Sequence, residues 1–135
     1  MKTQIMSLSI LVLSSPFDSQ ASYSAYRFAK AALKQDIAID RIFFYQSGIH
    51  NATGLACTPR DEFDLYTAWQ ELKQHHELDL VVCIAAAARR GLIDEAEQKR
   101  HQKSGFNMAS EFELSGLGQL VEAIASSGKL ITFGD

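Results

Sequence analysis

Two cysteines in 135 residues cannot make a disulfide framework, which in small secreted domains is dense and even-numbered. Cys57 and Cys83 are therefore read as free thiols in a reducing compartment. They do not form a Cys-x-x-Cys pair, and His50, His75, His76 and His101 do not include a His-x-x-x-His pair, so the short spacing of a strong metal site is missing. Neither a metal nor an organic cofactor is expected. An excess of positive charge is also missing. Thirteen Lys and Arg against 16 Asp and Glu give a formal charge of −3, which lacks the basic footprint that a phosphate backbone attracts. Direct tight binding to nucleic acid is thus not expected. No stretch approaches the roughly 20 consecutive apolar residues that span a bilayer. Lys2, the apolar segment Ile5 to Leu13 and the small-residue site Ser19-Gln20-Ala21 outline a secretory leader. However, Ser7 and Ser9 interrupt it, and cleavage would remove the first strand of the sheet; a soluble cytoplasmic protein is expected.

What is present is an alternation of strand and helix signals, with no linker, repeat or low-complexity segment between them. Gln4 to Leu13 reads as the first strand. Ala25, Phe28, Ala29, Ala32 and Leu33 follow the i, i+3, i+4, i+7, i+8 spacing of one buried helix face. Ala38 to Tyr45 reads as the second strand, and Gly48, Asn51 and Gly54 punctuate an irregular loop over Gln46 to Thr58. Thr58 and Pro59 predict the start of the next helix, with Leu65, Trp69 and Leu72 as its inward stripe. Leu78 to Ala85 is continuously apolar apart from Asp79, as in a central strand covered on both faces. Asp94 to His101 predicts a solvated charged helix, Glu95 and Lys99 forming an i, i+4 pair. A short extended piece near Phe112 to Leu114 precedes a last helix marked by Leu117, Leu120, Val121 and Ile124, and Lys129 to Phe133 supplies a terminal strand. The alternation predicts an α/β fold: a sheet of about five mostly parallel strands with helices on both faces.

Cys83 is the residue whose position carries chemistry. It closes the apolar strand and is followed, after Ile84, by Ala85-Ala86-Ala87-Ala88-Arg89-Arg90-Gly91. Reacting groups collect at the carboxyl ends of parallel strands, although a free cysteine is also a common core hydrophobe. A helix N-terminus or a cation beside a thiol favours its ionised form, which makes the start of the following helix, Arg89 and Arg90 candidates to assist. His50, in the loop after the second strand, is a further candidate for moving a proton. Cys57 lies in a polar, glycine-punctuated loop with no activating feature. Gly116-Leu117-Gly118 lacks the third glycine and the acidic residue of a dinucleotide site and reads as a tight turn before a helix.

The strings Cys83-Ile84-Ala85-Ala86-Ala87-Ala88-Arg89-Arg90-Gly91-Leu92-Ile93-Asp94-Glu95, Asp61-Glu62-Phe63-Asp64-Leu65 and Leu114-Ser115-Gly116-Leu117-Gly118 resemble sulfurtransferase subunits of the DsrE-like family. Further matches in the same order are Gln20-Ala21-Ser22, Phe28-Ala29-Lys30-Ala31, Phe43-Phe44-Tyr45 with Gly48 and Asn51-Ala52, and Ala68-Trp69-Gln70. Ser14-Ser15-Pro16-Phe17-Asp18-Ser19 departs from the glycine-containing turn that the family tends to have there. The resemblance implies one DsrE-like domain over residues 1–135, with a flavodoxin-like three-layer sandwich and Cys83 as the catalytic sulfur acceptor, without a cofactor. It also implies a hetero-oligomer with TusB-like and TusC-like subunits, a TusA-like sulfur donor, a TusE-like acceptor and a pathway that ends in thiolation of the tRNA wobble uridine. A lone thiolate suits such a relay, because both steps are thiol exchange at sulfur. The alternative reading is a non-catalytic structural or binding subunit of the same assembly, in which Cys83 is only a core residue.

Overall fold

The computed structural model describes residues 7–135. Strand β1 spans Ser7–Val12; the start of the expected first strand, at residues 4–6, and the leader outline around Lys2 and Ile5 lie outside the described residues. Helix α1 (Ala21–Lys34) leads to β2 (Ala38–Phe44), a 3₁₀ helix (Gln46–Ala52) and α2 (Leu65–His75). Then follow β3 (Leu80–Cys83), α3 (Ile84–Arg89), α4 (Glu95–Arg100), β4 (Glu113–Ser115), α5 (Gly118–Ser126) and β5 (Lys129–Phe133). The five strands form one sheet in the order β4-β3-β2-β1-β5, and every pairing is parallel. The chain thus winds from β1 to β4 in one direction and returns through α5 to pair β5 with β1. The middle strand is β2, not β3 as the apolar run suggested. All four residues of β3 are nevertheless buried, which agrees with cover on both faces.

Leu8, Ile10 and Val12 of β1, Ile42 and Phe44 of β2, and Trp69 of α2 are among the buried residues that make the core. Trp69 stands edge-on to Phe44 and to Tyr26 of α1, with ring centroids 5.3 and 5.5 Å apart, an arrangement that adds to simple area burial. The buried stripe of α1 is Ser22, Ala25, Tyr26, Ala29 and Ala32. It is turned slightly from the expected face, so Phe28 and Leu33 are only half-buried.

Helix α2 begins at Leu65, not at Pro59, because the Asp64 carboxylate accepts from Thr67 N at 3.1 Å and from Thr67 Oγ1 at 2.8 Å and so caps the first turn. Pro59 instead opens a separate turn, closed by Glu62 N donating to Pro59 O at 3.0 Å. In α5, Ala123 is the buried residue, while Val121 and Ile124, two of the residues that marked this helix, are 64% and 53% exposed. In α4 the Glu95–Lys99 pair forms at 3.2 Å, but Glu97 is buried and holds Arg100 at 3.3 Å and His101 at 3.0 Å, so this helix is not solvated all round.

The first half of the expected loop after β2 is regular. It folds as the 3₁₀ helix because a buried polar set secures it. Asn51 Nδ2 donates to Ser22 Oγ at 3.0 Å and to Gly48 O at 2.9 Å, and Trp69 Nε1 donates to Asn51 Oδ1 at 3.0 Å. Ser22 Oγ in turn donates to Ser14 O at 2.6 Å. With its donors and acceptor satisfied, Asn51 can be fully buried, and it joins α1, α2 and the loop after β1 to the segment that borders the candidate site.

Candidate active site at Cys83

Cys83 is the last residue of β3 and the N-cap of α3, with φ −64° and ψ 117°. The strand turns into the helix with no intervening residue, which fixes the thiol at the sheet's carboxyl edge. Its residue is only 2% exposed. Cys83 nonetheless lines a pocket of about 380 Å³. Three strand ends supply the walls: Tyr45 and Gln46 follow β2, Cys83 ends β3, and Gly116 and Leu117 follow β4. Ile84, Ala85 and Ala86 of α3 contribute a small-residue wall, and Arg89 and Arg90 complete the lining. No carboxylate lines this pocket. Gln46 has φ 51°, in the left-handed region that costs a non-glycine residue about 1 kcal/mol or more and that recurs at functional sites.

The two arginines differ in how they are held. Arg90 Nη1 donates to Ala86 O at 3.1 Å, which ties its guanidinium back along α3. Arg89, in the last turn, complements the negative end of the α3 dipole. Among the described residues, neither pairs with a carboxylate.

Residues 6–133 match the model of the DsrE/DsrF-like family. The chain belongs to that family. Among its relatives is a sulfurtransferase TusD homolog of Pseudomonas aeruginosa, 47% identical over 124 residues that cover 92% of this chain and 95% of that one. Sulfurtransferase TusD of Proteus mirabilis is 41% identical over 124 residues, with the same coverage of both chains, 92% and 95%. A DsrE protein of Allochromatium vinosum is 46% identical over 130 residues, covering 96% of this chain and all of that one. Among solved structures, the ychN protein of E. coli superposes with a TM-score of 0.72 over 95% of this chain and 99% of that chain, at 18% identity. That likeness speaks to the fold, the parallel α/β arrangement described above.

Within this DsrE/DsrF-like chain, the other candidates separate by position. Cys57 is exposed, its Sγ donating to Leu55 O at 3.5 Å, and it does not line the Cys83 pocket. The Gly116-Leu117-Gly118 turn does precede a helix, as expected, and its first two residues form part of the pocket wall. Tyr45 and Gln46 were not singled out from the sequence; their place directly after an apolar strand was the available signal. A larger cavity of about 490 Å³ lies between Leu55, Ala88 and the segment Lys103 to Asn107. Its lining includes no thiol. Among the described residues, no group of three His, Cys, Asp or Glu could hold a metal ion.

His50 lies on the 3₁₀ helix, with its ring 5.4 Å from that of Phe17, and does not line the Cys83 pocket. Burial holds its pKa below the ordinary 6.5, the Arg90 guanidinium lowers it further, and Asp18 opposes both. The folded state takes up the His50 proton less readily than the unfolded chain. The contribution is therefore complete above pH 6.5 and is lost as pH falls through the lower folded value. His50→Gln is expected to flatten the acid-side decline of the thermal midpoint, measured by circular dichroism from pH 7.5 downward; an unchanged slope would refute this role.

Proposed function

We propose that this chain is a sulfurtransferase subunit that accepts a persulfide sulfur on Cys83 and passes it on, in a relay that ends in thiolation of the tRNA wobble uridine. The observation that carries the reading is the placement of Cys83 in the lining of a carboxylate-free pocket at the carboxyl ends of three parallel strands, a lining that also includes two arginines. Relatives named sulfurtransferase TusD, 41% and 47% identical along nearly the whole chain, support it. In the first step the Cys83 thiolate attacks the outer sulfur of a donor persulfide. The donor's S–S bond breaks, the donor leaves as a thiolate, and Cys83 carries the persulfide. In the second, an acceptor thiolate attacks that outer sulfur and Cys83 leaves as the thiolate. Neither step changes the net oxidation state, so no electron carrier takes part.

The proposed setting is cytoplasmic, in a hetero-oligomer with TusB-like and TusC-like subunits, fed by a TusA-like donor and emptied by a TusE-like acceptor. At charge −3 the chain lacks a general attraction for phosphate, so the subunit handles sulfur and not the RNA itself. No helix among the described residues is long and apolar enough to cross a membrane.

A second reading, a non-catalytic structural or binding subunit, draws on the 2% exposure of Cys83. Intact-mass and peptide mass spectrometry after incubation with a persulfide donor separates the two: the relay reading expects one added sulfur on Cys83, the structural reading none. Cys57→Ser is expected to leave loading and onward transfer nearly unchanged, because the exposed Cys57 does not line the pocket. A loss comparable to removal of Cys83 would contradict the single-thiol relay.

A further inference from the structure

We infer that Arg89 and Arg90 form an anion subsite beside Cys83, so that the molecule exchanging sulfur there carries a carboxylate or sulfur oxyanion next to its reacting sulfur. This inference rests on Cys83 as the sulfur carrier and adds a requirement on the chemistry of its substrate. Both arginines line the pocket that contains the thiol, and no acidic side chain shares that lining. Among the described residues they have no carboxylate partner, so their remaining N–H donors are not committed to an ion pair. Arg90 is anchored through Nη1 to Ala86 O at 3.1 Å, which gives its charge a fixed position at low entropic cost. Its charge also lowers the His50 pKa, after the larger effect of burial.

A chain of net charge −3 repels anions at long range. A pair of arginines at the reacting sulfur reverses that sign locally and offers the planar donor geometry suited to carboxylates and oxyanions. The pocket, about 380 Å³, has room for such a group beside the sulfur. Because Cys83 is 2% exposed, the donor must enter the pocket, whose lining includes both arginines. Two sources share this chemistry. A persulfide R–S–SH with a nearby carboxylate transfers its outer sulfur to the Cys83 thiolate and leaves as R–S⁻. Thiosulfate transfers its outer sulfur to the same thiolate and leaves as sulfite. Sulfur, charge and electrons balance in both.

The test measures Cys83 loading rates by mass spectrometry with three probes: glutathione persulfide, thiosulfate, and the uncharged persulfide of N-acetylcysteine methyl ester. The native protein is expected to prefer at least one anionic probe over the uncharged one. In R89Q/R90Q that preference falls about 10-fold or more, the scale of one charge-assisted contact. R89K/R90K keeps the charge and restores part of the preference. The anionic probe that responds to the arginines identifies the source. Equal loading by charged and uncharged probes in the native protein, or a preference unchanged in R89Q/R90Q, overturns the subsite while leaving the relay intact. No loading by any probe overturns the relay and the subsite together.

Discussion

Cys83→Ser is expected to abolish sulfur loading entirely while leaving the thermal midpoint almost where it was. The first half follows from chemistry, since a serine hydroxyl cannot form the persulfide that the proposed relay requires. The second follows from the local backbone. Cys83 occupies the N-cap of α3 in extended geometry and makes no capping hydrogen bond. Serine is a preferred N-cap residue, whose Oγ can accept from the backbone N–H of the first turn. That gain opposes the cost of burying a hydroxyl at a site 2% exposed, and the two are each of order 1 kcal/mol. The paired measurement is peptide mass spectrometry for sulfur and differential scanning calorimetry for stability. Residual persulfide elsewhere on the chain with full onward transfer would remove Cys83 from the relay. A collapsed midpoint would mark the cysteine as a core residue first.

The strand and helix alternation was legible because buried parallel strands leave unbroken apolar runs, as in Leu80-Val81-Val82-Cys83, while surface helices leave a 3.6-residue period. The position of Cys83 at a strand end was legible for the same reason: a strand end is marked where the apolar run gives way to alanines and arginines. The helix start at Leu65 was not, because two start signals lie five residues apart in the chain. Pro59 satisfies only a backbone preference, whereas Asp64 makes two hydrogen bonds to Thr67. The side-chain cap decided the boundary.

Periodicity also identified an apolar stripe on α5 without revealing whether anything covers it. Leu117, Val121 and Ile124 keep 43%, 64% and 53% exposure, since α5 crosses the sheet on Ala123 and the half-buried Leu120. Burial is a property of the packed pair and not of the helix alone. The pocket walls were hidden for a related reason. Tyr45, Gln46 and Gly116 are distant in sequence from Cys83 and meet it only through the β2-β3 and β3-β4 pairings, with Gln46 held at φ 51°.

Gly48→Ala is expected to be the most damaging single-methyl change in the segment that borders the site. A Cβ at this position would fall 2.1 Å from the Val12 carbonyl oxygen and 2.8 Å from its carbon, both backbone atoms that cannot rotate away. That same oxygen accepts Tyr45 N at 3.0 Å, so displacing it strains the β1 end and the exit from β2 together. The 3₁₀ helix cannot retreat freely either, because Asn51 binds Ser22, Gly48 and Trp69 within the core. Forced overpacking of this kind costs about 3 kcal/mol or more, which for a chain of this size lowers the thermal midpoint by roughly 10 °C. Gly105→Ala is the matched control, since a Cβ there meets nothing within 4 Å. Sulfur loading should fall along with stability in Gly48→Ala, because Gln46 and Tyr45, two residues of the Cys83 pocket, stand at the start of the displaced segment. Thermal unfolding and loading rates measured on both variants decide the matter: a Gly48→Ala midpoint no lower than that of Gly105→Ala would show that β1 and the 3₁₀ helix can separate without cost, and the close contact would then have no part in shaping the site.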